Sequence, residues 1–106
     1  EIENLELTGE AVITGLLDYY IRYLFHPQKE YRFHCKHIIS KTIFMTTLQE
    51  HLDYNNAGTK AWNEYEEFDP KDLGFEEKLR IIRDHVASMT DKYAVDQYRK
   101  LSGQKI

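Results

Sequence analysis

The apolar residues Val12, Ile13, Leu16, Leu17, Tyr20, Ile21 and Leu24 recur at steps of three and four. That is the repeat of one broad face of an amphipathic α-helix. A second stripe, Phe75, Leu79, Ile82, Val86 and Met89, steps by four, three, four and three. A strand needs alternation by two, and no stretch of the chain offers it convincingly. Two such stripes in a chain of 106 residues leave room for helices packed on helices and little else. The expected class is all-α, a small helical bundle of about four to five helices, with residues 1–106 too short for more than one domain.

Local signals suggest the boundaries. Thr8 is placed as the N-cap of the first helix, with Glu10 near its positive end. Gly15 inside that helix costs about 1 kcal/mol relative to alanine, which a close helix crossing would explain. His26-Pro27 ends the helix, because a residue before proline avoids the α region. From Glu30 to Tyr54 one face reads Tyr31, Cys35, Ile38, Thr42, Met45, Leu48, Leu52. This is either one long helix or two with a break between Ser40 and Thr47, the second opened by a Thr46–Gln49 capping box. Tyr54-Asn55-Asn56-Ala57-Gly58 is turn chemistry. Residues 59–74 read as a loop pinned by Trp62, Tyr65 and Phe68, with a short helical turn capped by Asp69 and begun by Pro70. Thr90 is expected to cap a last helix that faces inward through Ala94, Tyr98 and Leu101, with Gly103 as its C-cap.

Charge and composition narrow the function. The net charge is −4, and lysines and arginines are scattered; a nucleic-acid backbone binder usually shows a basic stripe, so nucleic acid is not the expected partner. The lone Cys35 cannot form an internal disulfide and fits a reducing compartment. The start, Glu1-Ile2-Glu3-Asn4, has no Met, no basic region and no apolar run, so an excised piece of a longer protein is expected and a secretory leader is not. The apolar stretch Leu16 to Phe25 contains Asp18 and Arg22 and is no membrane span.

Few residues have the spacing that chemistry needs. His34 and His37 share a helix face and could chelate, but no carboxylate sits four residues from both, and solvated histidines are the simpler reading. Asp84 and His85 are adjacent and diverge by about 100° on a helix. Cys35 lies on an apolar stripe as a small core residue. Ser40, Ser88 and Ser102 lack a glycine elbow, and no phosphate-cradling glycine loop exists. Arg32, Lys36 and Lys41 could reach a nucleotide phosphate across a subunit boundary; a solvated helix face is the favoured alternative. Arg80 and Arg83, beside Asp84, read as local ion pairs. Catalytic and metal-binding residues are therefore expected to be absent from this chain.

The run Ile82 to Ala94, and within it Met89-Thr90-Asp91, Tyr93 and Ala94, resembles the C-terminal signature of deoxyguanosine-triphosphate triphosphohydrolases. Asp96 to Gly103 is similar to that family's closing helix, and Leu5-Glu6-Leu7-Thr8-Gly9 with Val12-Ile13 and Leu16-Leu17-Asp18 to the opening of its phosphohydrolase-associated region. His85 stands where an aromatic is usual and Ser88 where glycine is usual; residues 26–74 do not align. The resemblance implies a cytoplasmic HD-superfamily hydrolase that releases tripolyphosphate from a deoxynucleoside triphosphate, using a divalent ion such as Mg or Mn. It implies a catalytic domain upstream, and it makes this chain a structural piece whose partners are that domain and neighbouring subunits of an oligomer. The chain cut free is expected to be inactive and to associate through surplus apolar surface. A free-standing, non-catalytic helical interaction module is the rival reading.

Overall fold

The computed structural model describes residues 2–102, with side chains described for residues 10–101. Among the described residues the fold is all-α: α1 (Ile2–Leu24), α2 (Lys29–Ile38), α3 (Lys41–Tyr54), α4 (Ala61–Glu64), a 3-10 turn (Pro70–Asp72), α5 (Phe75–Ala87) and α6 (Asp91–Ser102). The helix count exceeds expectation because the second segment is two helices and residues 61–64 form a turn of their own.

Helix α1 is the spine and packs on α2, α5 and α6. Val12, Leu16, Tyr20 and Leu24, spaced by four, are all buried. Each of the larger ones stabilises the fold by about 1.5–3 kcal/mol relative to exposure. Gly15 marks a close crossing, as its position in the stripe suggests: a Cβ there would overlap the ring of Tyr98 on α6. Thr8 is not the N-cap, because the helix begins at Ile2 and runs through it. Gly103 lies outside the described residues.

The break in the middle segment comes earlier than the 40–47 window suggests. Ile39 and Ser40 leave helical geometry, and the Ser40 hydroxyl accepts the amide of Ile43 at 3.5 Å. Thr46 makes no capping box; its hydroxyl donates to the Thr42 carbonyl one turn back. Gln49 reaches outward, donating to the Thr59 carbonyl and accepting the Ala61 amide, which ties α3 to the start of α4. Asn56 and Gly58 take positive φ values of 54° and 70°, as the turn composition at 54–58 requires.

In α5 the expected stripe is rotated. Ile81, Ile82, His85 and Val86 face the core, whereas Phe75 is 66% exposed and Leu79 is half-buried. A period of three and four fits several faces of one helix when apolar residues stand on both sides, and tertiary packing selects among them. No helix among the described residues is long and apolar enough to cross a membrane.

Candidate functional site

The strongest concentration of buried polar chemistry lies where α2 meets the 61–74 segment. Arg32, on α2, is 6% exposed. Its Nε donates to Asp69 Oδ1 at 2.7 Å and its Nη2 to Asp69 Oδ2 at 2.8 Å, a bidentate pair. Its Nη1 donates to the carbonyls of His26 and Pro27 at 2.9 and 2.8 Å. Asp69 in turn accepts the Lys71 amide and caps the 3-10 turn, as its place before Pro70 predicts. The guanidinium beside it holds the Asp69 carboxyl down at about 2. One side chain thus fastens the α1–α2 elbow to the loop that leads into the 3-10 turn.

One turn further along α2, Lys36 is fully buried. Its ammonium donates to the carbonyls of Tyr65, Glu66 and Phe68 at 2.5, 3.2 and 3.2 Å and lies over the rings of Phe33 and Tyr65. Burial pushes its pKa below the usual lysine value, against the pull of Glu66 and Asp69. The ammonium satisfies carbonyls left over where the short α4 ends, the role a helix C-cap has elsewhere.

These positions correct the solvated-face reading of the basic cluster. Arg32 and Lys36 both point inward and spend their donors on the chain itself. Lys41 is exposed, with its ammonium 5.0 Å from the centre of the Tyr65 ring. Nothing in the sequence spacing betrays the pairing of Arg32 with Asp69, 37 residues on; only Asp69-Pro70 was visible, as a cap. The loop is pinned by Tyr65 and Phe68, as expected, but Trp62 is 71% exposed and pins nothing.

A second polar cluster joins α1, α3 and α5. His85 is buried, and its Nδ1 accepts the Ser40 amide at 3.1 Å, which places the ring proton on Nε2. Its ring meets Tyr20 edge-on, with centres 5.1 Å apart. Burial pushes its pKa down, so the ring is neutral. The His85 ring packs edge-on as an aromatic would and also offers an acceptor to the Ser40 amide at the α3 cap. His51 donates to Glu77 at 3.0 Å, and Glu77 accepts the Gly74 amide at 2.7 Å, closing the start of α5. Arg80 pairs with Glu50 across α3 and α5, so only Arg83, with Asp84, is a local pair. His34 and His37 are exposed on α2, and no group of three or more His, Cys, Asp or Glu among the described residues could hold a metal ion. Cys35 is wholly buried, its thiol pushed up by desolvation.

The Met89–Ala94 corner carries the cap that the sequence implies at Thr90. The Thr90 hydroxyl accepts the Tyr93 amide at 3.2 Å and its carbonyl accepts the Ala94 amide. Met89 is half-buried against the core, Asp91 sits in the first turn of α6, and Ala94 is buried. Tyr93, beside the buried Ala94, is 46% exposed. The Ser88 hydroxyl donates to the His85 carbonyl at 2.7 Å, so serine closes α5 with a side-chain bond where glycine would use backbone freedom.

Residues 28–100 match the model of the phosphohydrolase-associated domain. The chain belongs to that family. Its curated relatives include the deoxyguanosinetriphosphate triphosphohydrolases of Yersinia pestis (strain Pestoides F) and Serratia proteamaculans, each 32% identical to it, and that of Yersinia enterocolitica, 31% identical. Each match covers 95% of this chain, which spans about a fifth (21%) of the relative's length. No solved structure matches the chain. The match takes in residues 28–74, which the sequence motifs left unaligned, with α2, both buried basic residues and Asp69, and it continues through the Met89–Ala94 corner.

Proposed function

We propose that this chain is the helical, non-catalytic part of a deoxynucleoside-triphosphate triphosphohydrolase, with dGTP the leading substrate. The single observation that carries the reading is the 32% identity to deoxyguanosinetriphosphate triphosphohydrolases across 95% of the chain. In this reading the parent is a cytoplasmic enzyme that hydrolyses its substrate to the deoxynucleoside and tripolyphosphate. The reaction takes place in an HD-type catalytic domain upstream on the same polypeptide, at a divalent ion held there. The described residues offer no donor set that fits such an ion, so no step of the reaction is assigned to them. The role left to this domain is to complete the fold and support subunit contacts. The use of Arg32, Lys36, Asp69 and His85 on internal partners accords with that role.

The test is release of tripolyphosphate by the full-length protein from a panel of deoxynucleoside triphosphates, with and without a divalent ion. Metal-dependent release by the full-length protein and none by residues 1–106 is the expected result. Release by the 106-residue chain, or none by the full-length protein with any substrate of the panel, overturns the reading.

A further inference from the structure

Between α1 and α5 runs an open groove of about 610 Å³. Leu17 and Ile21 form one wall, and Leu79, Ile82 and the stems of Arg80 and Arg83 form the other. Ile13 continues the α1 wall one turn before Leu17, so Ile13, Leu17 and Ile21 make a stripe along one face of the helix. Ile13 and Ile21 stay 42% and 40% exposed, although Val12, Leu16 and Tyr20 beside them are buried. Phe75, one turn before Leu79 on α5, is 66% exposed. The spine of the domain therefore has two apolar faces, and the fold covers one.

The charges on the rim say what the groove does not hold. Arg80 is paired with Glu50, Arg83 with Asp84, and Glu77 with His51 and the Gly74 amide. A phosphate would have to compete with carboxylates already in place. A second copy would find Arg80, Arg83 and Glu77 engaged within its own chain, which leaves the Glu76 carboxylate at the rim and no free cation in the copy's groove to meet it. Size also disfavours a copy: a stable dimer buries about 800 Å² and roughly 20–30 residues per partner, whereas eight residues line this groove. A segment of the same polypeptide needs far less area, because tethering replaces a bimolecular association with an effective concentration of millimolar order. The curated relatives, of which this chain spans 21%, place most of their length outside it.

We propose that the α1–α5 groove is the seat of an aliphatic segment of the parent polypeptide from outside this domain, held against Ile13, Leu17, Ile21 and Leu79. The proposal rests on the reading that the chain is one part of a longer triphosphohydrolase. The experiment uses the full-length protein with a genetically encoded diazirine side chain at position 21, which inserts on irradiation into whatever touches it. The expected result is a product of unchanged mass on a denaturing gel, with adducts mapped to peptides of the same polypeptide outside this domain. A product of doubled mass, adducts confined to this domain, or quenching by water alone overturns the proposal. Far-UV circular dichroism must match that of the unmodified protein; if it does not, position 13 on the same stripe replaces position 21. Tripolyphosphate release is measured on the same preparation. Adducts outside the domain without release leave the groove assignment standing and remove the enzymatic reading; release without such adducts does the reverse.

Discussion

Asp69→Ala separates a domain held by a buried polar clamp from one held by apolar packing alone. The substitution removes both carboxylate oxygens from Arg32 and the cap from the Lys71 amide, while the guanidinium keeps the carbonyls of His26 and Pro27. The side chains of Arg32 and Asp69 are 7% and 14% exposed, so the charge left behind is poorly hydrated. Breaking one partner of such a pair costs about 3–5 kcal/mol, and the two carbonyls that remain place the expected loss near the lower end, about 3 kcal/mol. For a domain of this size each kcal/mol moves the melting temperature by about 4–8 °C, giving a fall of roughly 12–24 °C. The assay is thermal and urea unfolding of the chain followed by far-UV circular dichroism. Arg32→Met and the double variant complete a cycle that isolates the coupling between the two residues. Asp18→Ala is the internal control: Asp18 pairs with Arg22 at 2.9 Å, but both side chains are over 60% exposed, and the pair is worth less than about 1 kcal/mol.

The same pair has a pH signature. The hydrogen bonds from Arg32 hold the Asp69 carboxyl down at about 2 in the folded state, below the ordinary 3.8. Between those values the unfolded chain binds more protons, so stability rises with pH there. The contribution is complete above the unfolded value and is lost as pH falls through the folded one. The gap between the native chain and Asp69→Ala should accordingly narrow from pH 5 toward pH 2. A loss below about 1 kcal/mol at pH 7, equal to that of the exposed control, or a gap independent of pH in that range, would refute the reasoning.

Lys36→Met strips the buried carbonyl of Tyr65 and the part-buried carbonyls of Glu66 and Phe68 of their donor and is expected to cost about 2–4 kcal/mol in urea unfolding; a neutral effect would mean that water replaces the ammonium. His85 is held neutral with its pKa below the ordinary 6.5, so the folded state resists protonation: stability is present above that value and declines as pH falls through it toward the folded pKa. His85→Phe should flatten the melting-temperature profile between pH 7 and 5, and an unchanged slope there contradicts the assignment. Gly15→Ala gains about 1 kcal/mol of helix propensity but drives a methyl into the Tyr98 ring, an overpacking cost of about 1–3 kcal/mol. A net loss reversed by adding Tyr98→Leu is expected; a simple gain would place α6 further from α1. Thr90→Ala should cost about 1 kcal/mol through the lost cap on α6 and leave turnover per folded molecule of the full-length protein unchanged. Intact stability with lost turnover would move the corner to the active site.

What the sequence disclosed follows the range over which each signal acts. The α1 stripe, the Pro27 stop, the Asp69-Pro70 cap and the Thr90 cap depend on neighbours within a turn or two, and all four stand in the structure. Gly15 was legible at one remove: its cost demanded a close partner, though only the fold supplies Tyr98. The failures are those of degenerate local signals. Thr8 has the chemistry of a cap but lies within a helix that starts earlier, and Thr46 lies three residues before Gln49 without a helix start to serve. On α5, apolar residues at 75, 79, 82 and 86 share the helix with Ile81 and His85, and a three–four count cannot rank overlapping faces.

The basic cluster went astray for a different reason, one that bears on what this domain does. Charge in a sequence is read as surface because leaving water is costly. Arg32 and Lys36 escape that rule because the 61–69 segment comes back over α2 and offers a carboxylate and three carbonyls where water would have been. The segment has little apolar area of its own: Trp62 is turned out, and Ala61, Tyr65 and Phe68 are its main anchors. Hydrophobic burial is tolerant of small slips, whereas a bidentate guanidinium pair and an ammonium on three carbonyls have essentially one register. The polar clamp therefore supplies positional definition that a short, weakly apolar segment cannot obtain from packing. The supporting role proposed for this domain would need definition of that kind. Its cost is sensitivity to the loss of any single member, which is why Asp69→Ala is expected to do more damage than truncating the exposed Trp62.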